Sequence, residues 1–159
     1  MKINLKKLLA VHSEMDHRGV KYGLGDKVIP LTKTPAQIRK VDCSGYVRYL
    51  LFQSTDNNYR VIDGSQNQRA WAEAGGDGLI KKKVEYKNLF LPEVMADEDR
   101  LFIAFIKPHT NGAGAIGHVW LIHAGETIES HGGVGVNSRP VNTRVLRNLV
   151  YSAYELVVG

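Results

Sequence analysis

A chain of 159 residues is long enough to bury one core without disulfide or metal staples. Its 43% hydrophobic and 23% charged content is that of a soluble globular protein, and no apolar run reaches the roughly 20 residues a membrane-spanning helix needs. A net charge of +5 favours an anionic partner such as a cell-wall polymer, but no aromatic–basic pattern or recognition helix supports nucleic acid.

The N-terminal lysines mimic the start of an export signal. The apolar stretch behind them, Leu8-Leu9-Ala10-Val11, falls short of the ~7–15 residues such a signal uses, so synthesis in the cytoplasm without a signal peptide is expected. Leu5, Leu8, Leu9, His12 and Met15 share one face of a helix over 4–18, with Asn4 as cap and Gly19 as stop. After a glycine-rich link at 22–26, Pro30 and Pro35 make 27–41 irregular. A second helix starts at Cys43 with Asp42 as N-cap, and Tyr46, Val47, Leu50 and Leu51 form its apolar stripe. Ser65-Gln66-Asn67-Gln68 reads as the capping box of a third helix, stopped by Gly75-Gly76. The triplet Lys81-Lys82-Lys83 reads as a solvated loop.

The hydrophobic period then changes. Strands are expected at 101–106, 118–123, 127–131 and 149–157, with a tight turn at 124–126. Helices first and a strand meander afterwards predict one α+β domain over 1–159, its helices packed on an antiparallel sheet.

Cys43 is the only cysteine, so it has no disulfide partner and no CxxC zinc motif. At a helix N-terminus, free N–H groups and the macrodipole favour a thiolate there. His118 opens one strand and His131 ends its hairpin partner, so antiparallel pairing makes them neighbours. That is the placement of a base, His118, and the group that orients it, His131. Nucleophile before histidine is the papain-like order. His12, His17, His109 and His123 are read as structural.

Residues 112–117 spell G-x-G-x-x-G but lead into a strand rather than a helix, which rules against a dinucleotide site. A zinc site built from Cys43, His118 and His131 is the sharper rival, and a non-catalytic binding module on the same fold is another. The working expectation is that no metal or cofactor is used.

The block Asp42-Cys43-Ser44-Gly45-Tyr46-Val47, then Gly117-His118-Val119 and His131, resembles the NlpC-type papain-like peptidases of bacteria and their phages, which hydrolyse peptidoglycan. The resemblance spans about 20–131. It implies cleavage of peptide bonds in peptidoglycan stem peptides, with Cys43 as nucleophile, His118 as base, His131 as the third polar residue and Tyr22 near the oxyanion. It also implies action at the bacterial wall, as a phage lysin, a phage tail component or an injected antibacterial effector with an immunity protein as partner. The family's P-G-D-L element is Glu98-Asp99-Arg100-Leu101 here, and Trp120, in place of a small residue, is expected to narrow the cleft. The related CHAP amidases usually carry Glu, Asp or Asn as third residue, so His131 favours the NlpC side.

Overall fold

Alternation along the strands decides which layer each apolar side chain enters. The computed structural model describes residues 1–108, 117–141 and 150–159; His109, the run 112–116 and Leu149, named in the expectations above, lie outside the described residues. The described elements are helices α1 (Leu5–His17), α2 (Cys43–Ser54), α3 (Ser65–Glu73) and the single turn α4 (Pro92–Met95), with strands β1 (Ile80–Val84), β2 (Phe102–Ile106), β3 (His118–His123), β4 (Glu126–His131), β5 (Gly135–Asn137) and β6 (Val150–Leu156). The strands form one antiparallel sheet in the order β1-β6-β2-β3-β4-β5. This is the expected α+β arrangement.

On one face Ile103, Phe105, Val119, Leu121, Ile128 and Tyr154 join Leu8, Met15, Val47, Leu50 and Leu51 of α1 and α2 in the main core. The alternate residues Phe102, Ala104, Ile106, Trp120 and Ile122 form a second cluster with Leu89, Val141 and Ala153. Covered on both sides, β2 is buried along its whole length, which explains its unbroken apolar sequence. Each fully buried large side chain here contributes about 1.5–3 kcal/mol.

Asn4 caps α1 by accepting from the Lys7 N–H at 3.0 Å. His12, on the buried side of that helix, shares hydrogen bonds with the Tyr46 hydroxyl (Nδ1, 2.7 Å) and Ser138 Oγ (Nε2, 2.8 Å). Burial lowers its pKa to about 4, so the ring is neutral and ties α1 to α2 and to the segment after β5.

Two local expectations are corrected. Residue 65 opens α3 but no capping box forms: Gly64 is the N-cap at φ 91°, and Gln68 turns inward to bond Ser44 O and Ile62 O. The lysine triplet is not a loop but the centre of β1, an edge strand paired only with β6. Its lysines stay exposed, and charged side chains of this kind keep an open edge from pairing with other chains.

Candidate active site

The site begins with the cap of α2. Asp42 Oδ1 accepts from the Gly45 N–H at 2.7 Å, fixing the first turn directly around Cys43. Such a cap stabilises a helix by about 1 kcal/mol. The chain behind it is pinned from three directions. Asp42 N donates to Asp26 O (2.9 Å), Val41 N to Lys21 O (3.0 Å), and Ser130 Oγ of β4 to Val41 O (2.8 Å). Gly45 is required by this closeness: a Cβ there would sit 2.8 Å from Asp42 Oδ1 and 3.2 Å from Asp26 O. The segment 20–21 is itself clasped, because Val136 N of β5 donates to Val20 O at 2.9 Å. Tyr22, the next residue, is thereby held within electrostatic reach of Cys43. Burial, followed by the charges of Cys43 and Asp42, raises its pKa to about 12, so its hydroxyl remains a donor.

His118 enters from β3. Gly117 precedes it at φ 79°, with Ile106 O only 2.6 Å from where a Cβ would stand, so no other residue fits that entry without displacement. The imidazole lies stacked on Trp120, with ring centroids 5.3 Å apart and planes at 21°. Its Nε2 donates to Glu129 Oε1 at 2.8 Å, and Cys43 lies close enough to interact with the ring. Burial alone would lower the His118 pKa, but the hydrogen bonds and charges of Cys43 and Glu129 overcome it and raise the value to about 9. An imidazolium beside Cys43 is thus the form held at neutral pH.

Glu129 is fully buried, and its environment explains how a carboxylate survives there. Arg139 grips it with both prongs, Nη2 to Oε1 at 2.6 Å and Nε to Oε2 at 2.9 Å. Thr127 Oγ1 also donates to Oε2. Burial would raise the Glu129 pKa, yet the bonds from His118, Arg139 and Thr127 bring it down to about 2. The arrangement is a chain of charges, imidazolium, carboxylate and guanidinium, that leads back from Cys43.

Of the four residues expected at the site, Cys43, His118 and Tyr22 come together. His131 does not take the expected place. The register Leu121↔Ile128, Ile122↔Thr127, His123↔Glu126, continued along the hairpin, sets it opposite His118. The His118 ring leans along the strand to the diagonal neighbour instead, and His131 donates from Nε2 to Asn137 Oδ1 at 2.7 Å. Burial lowers the His131 pKa, which keeps it neutral. Trp120 likewise departs from expectation: it is fully buried and forms the platform under His118 rather than a wall of the cleft. The zinc alternative loses its geometry, since His118 is committed to Cys43 and Glu129 and His131 to Asn137. Among the described residues no group of three or more His, Cys, Asp or Glu side chains is arranged to hold a metal. Nor, among them, is any helix long and apolar enough to cross a membrane.

No protein-family model and no curated protein matches the sequence. Solved structures do match by shape. A lipoprotein-like protein of the NLP/P60 family from Staphylococcus aureus superposes with TM-score 0.58 at 14% identity, covering 100% of this chain and 44% of that one. The P60 domain of an antigen from M. avium subspecies paratuberculosis superposes with TM-score 0.53 at 20% identity, covering 97% of this chain and 93% of that one. The chain thus spans less than half of the staphylococcal protein but nearly all of the mycobacterial domain. Its helices, its antiparallel sheet and the cysteine at the start of α2 make this the papain-like α+β fold of the NLP/P60 domains.

Proposed function

We propose that this chain is a cysteine peptidase acting on peptide bonds of peptidoglycan stem peptides. The observation that carries the reading is His118, bonded through Nε2 to the buried Glu129 and interacting with Cys43 at the start of α2. A structural histidine has no need of a nucleophile at a helix N-terminus and a carboxylate that is itself locked by arginine.

In this reading the Cys43 thiolate attacks the scissile carbonyl carbon. The oxyanion that forms is met by the Cys43 backbone N–H and the Tyr22 hydroxyl, donors of a type worth about 10²–10³ in rate. The His118 imidazolium gives its proton to the leaving amine, leaving a thioester on Cys43. His118, now neutral, takes a proton from the water that attacks the thioester; the C–S bond then breaks, releasing the acid product and regenerating the Cys43 thiolate beside the His118 imidazolium. Glu129, bonded to Nε2, orients the ring and stabilises its charged form. The acidic wall polymer suits a chain of net charge +5. The proposed place of action is the bacterial wall, reached as a phage lytic or tail enzyme or as an injected antibacterial effector whose immunity partner would cover Cys43.

The test is mass spectrometry of purified sacculi digested by the wild-type protein and by Cys43→Ala. Wild type is expected to release fragments cut within the stem peptide, and the variant, folded, none. Release by both would remove Cys43 as nucleophile. Products cut between sugar and peptide would replace the peptidase reading with an amidase one.

A further inference from the structure

Behind Cys43 lies a lysine whose ammonium group meets three oxygens. Lys27 Nζ stands 2.6 Å from Asp42 Oδ2, 2.9 Å from Asp63 Oδ1 and 2.9 Å from Ser44 Oγ. Its side chain is 19% exposed and that of Asp42 only 7%, so this contact is a shielded one. The three partners belong to the cap of α2, to its first turn and to the loop that leads into α3. Lys27 itself directly follows the link that carries Tyr22.

We propose that Lys27 is a positioning residue for the reaction argued above, and the inference rests on that reading of Cys43. It acts through Asp42. The cap is a carboxylate rather than a neutral Ser or Asn, and a carboxylate adjoining Cys43 opposes a second negative charge on the sulfur. Lys27 removes the conflict: it neutralises the cap at Oδ2 while Oδ1 remains on the Gly45 N–H. The same contact fastens the link to the first turn of α2, where its stem lies 3.2 Å from a Gly45 Cβ position. Tyr22 and Cys43 are therefore registered to each other through Lys27. An arginine can keep the charge there; an apolar side chain can keep neither charge nor clamp.

Alkylation of Cys43 by iodoacetamide as a function of pH tests this without any substrate, because the chain has one thiol to report. Wild type is expected to be alkylated at pH 6 faster than free cysteine under the same conditions. In Lys27→Met the rate at pH 6 should be roughly tenfold slower. At pH 10 the two rates should agree, which separates ionisation from access to the sulfur. Lys27→Arg should restore most of the rate at pH 6. If Lys27→Met does not fold, Lys27→Gln is read in its place, since its amide can still donate to Asp42 or Ser44 but carries no charge. A Lys27→Met rate at pH 6 equal to that of a fast-reacting wild type overturns this proposal alone. A wild-type thiol that reacts at pH 6 no faster than free cysteine overturns the reading of Cys43 and this proposal with it.

Discussion

Glu129→Gln is expected to lower kcat by about 10²–10³ while leaving KM within a few fold, because the carboxylate acts on His118 and not on the substrate. Glutamine keeps an oxygen for Arg139 and His118, so the fold should persist, and circular dichroism checks that it does. What is lost is the negative charge that favours the imidazolium. Glu129 is among the groups that raise the His118 pKa to about 9; without its charge that value falls. The sign of the pH effect follows. Activity that needs the imidazolium disappears as pH rises through the pKa of His118, so the alkaline limb of the variant's profile must move to lower pH. The same linkage acts on stability: a histidine raised above 6.5 in the fold stabilises fully below 6.5 and loses that contribution as pH rises through about 9. An unchanged alkaline limb with unchanged kcat would reduce Glu129 to a structural carboxylate.

The second large effect is a contrast between two histidines. His118→Ala removes the proton donor and acceptor and should cost at least about 10³ in kcat. His131→Ala should cost less than about tenfold, since its described hydrogen bond goes to Asn137 and not to His118. Steady-state kinetics of the two variants on soluble stem peptides measures both. Comparable losses in the two would return His131 to the catalytic group and count against the Glu129 assignment.

The unequal legibility of the site has a physical basis. Cys43 could be read directly because everything that marks it is local: an N-cap aspartate, a close-packed glycine at 45 and an apolar stripe at helical spacing. His118 was legible as the first residue of a strand. The partner of His118 was not, because hairpin pairing fixes only which residue lies opposite. Whether a ring bonds straight across or to the diagonal neighbour is decided by what lies beneath it, here Trp120, and by where a buried carboxylate can find an arginine. That arginine, Arg139, comes from beyond β5, a three-residue strand too short and glycine-rich to announce itself. One signal was present. Thr127 and Glu129 fall on the same face of an otherwise buried strand, and a charge in that position calls for a partner. β1 was missed for the opposite reason, since an edge strand carrying three exposed lysines has no apolar alternation to detect.

An acidic third residue is the pattern associated at the outset with the CHAP amidases, whereas the shape is that of the NLP/P60 domains. The bond cleaved therefore has to be read from products and not from the triad. The chemistry proposed for Cys43 is the same in either case.

That chemistry is tested most directly by acid-quenching the protein during turnover of purified stem peptides and mapping the covalent adduct by mass spectrometry. The account predicts an acyl group in thioester linkage on the peptide containing Cys43, accumulating early and absent from Cys43→Ala. Continued product release with no adduct on Cys43, and undiminished in that variant, would contradict it.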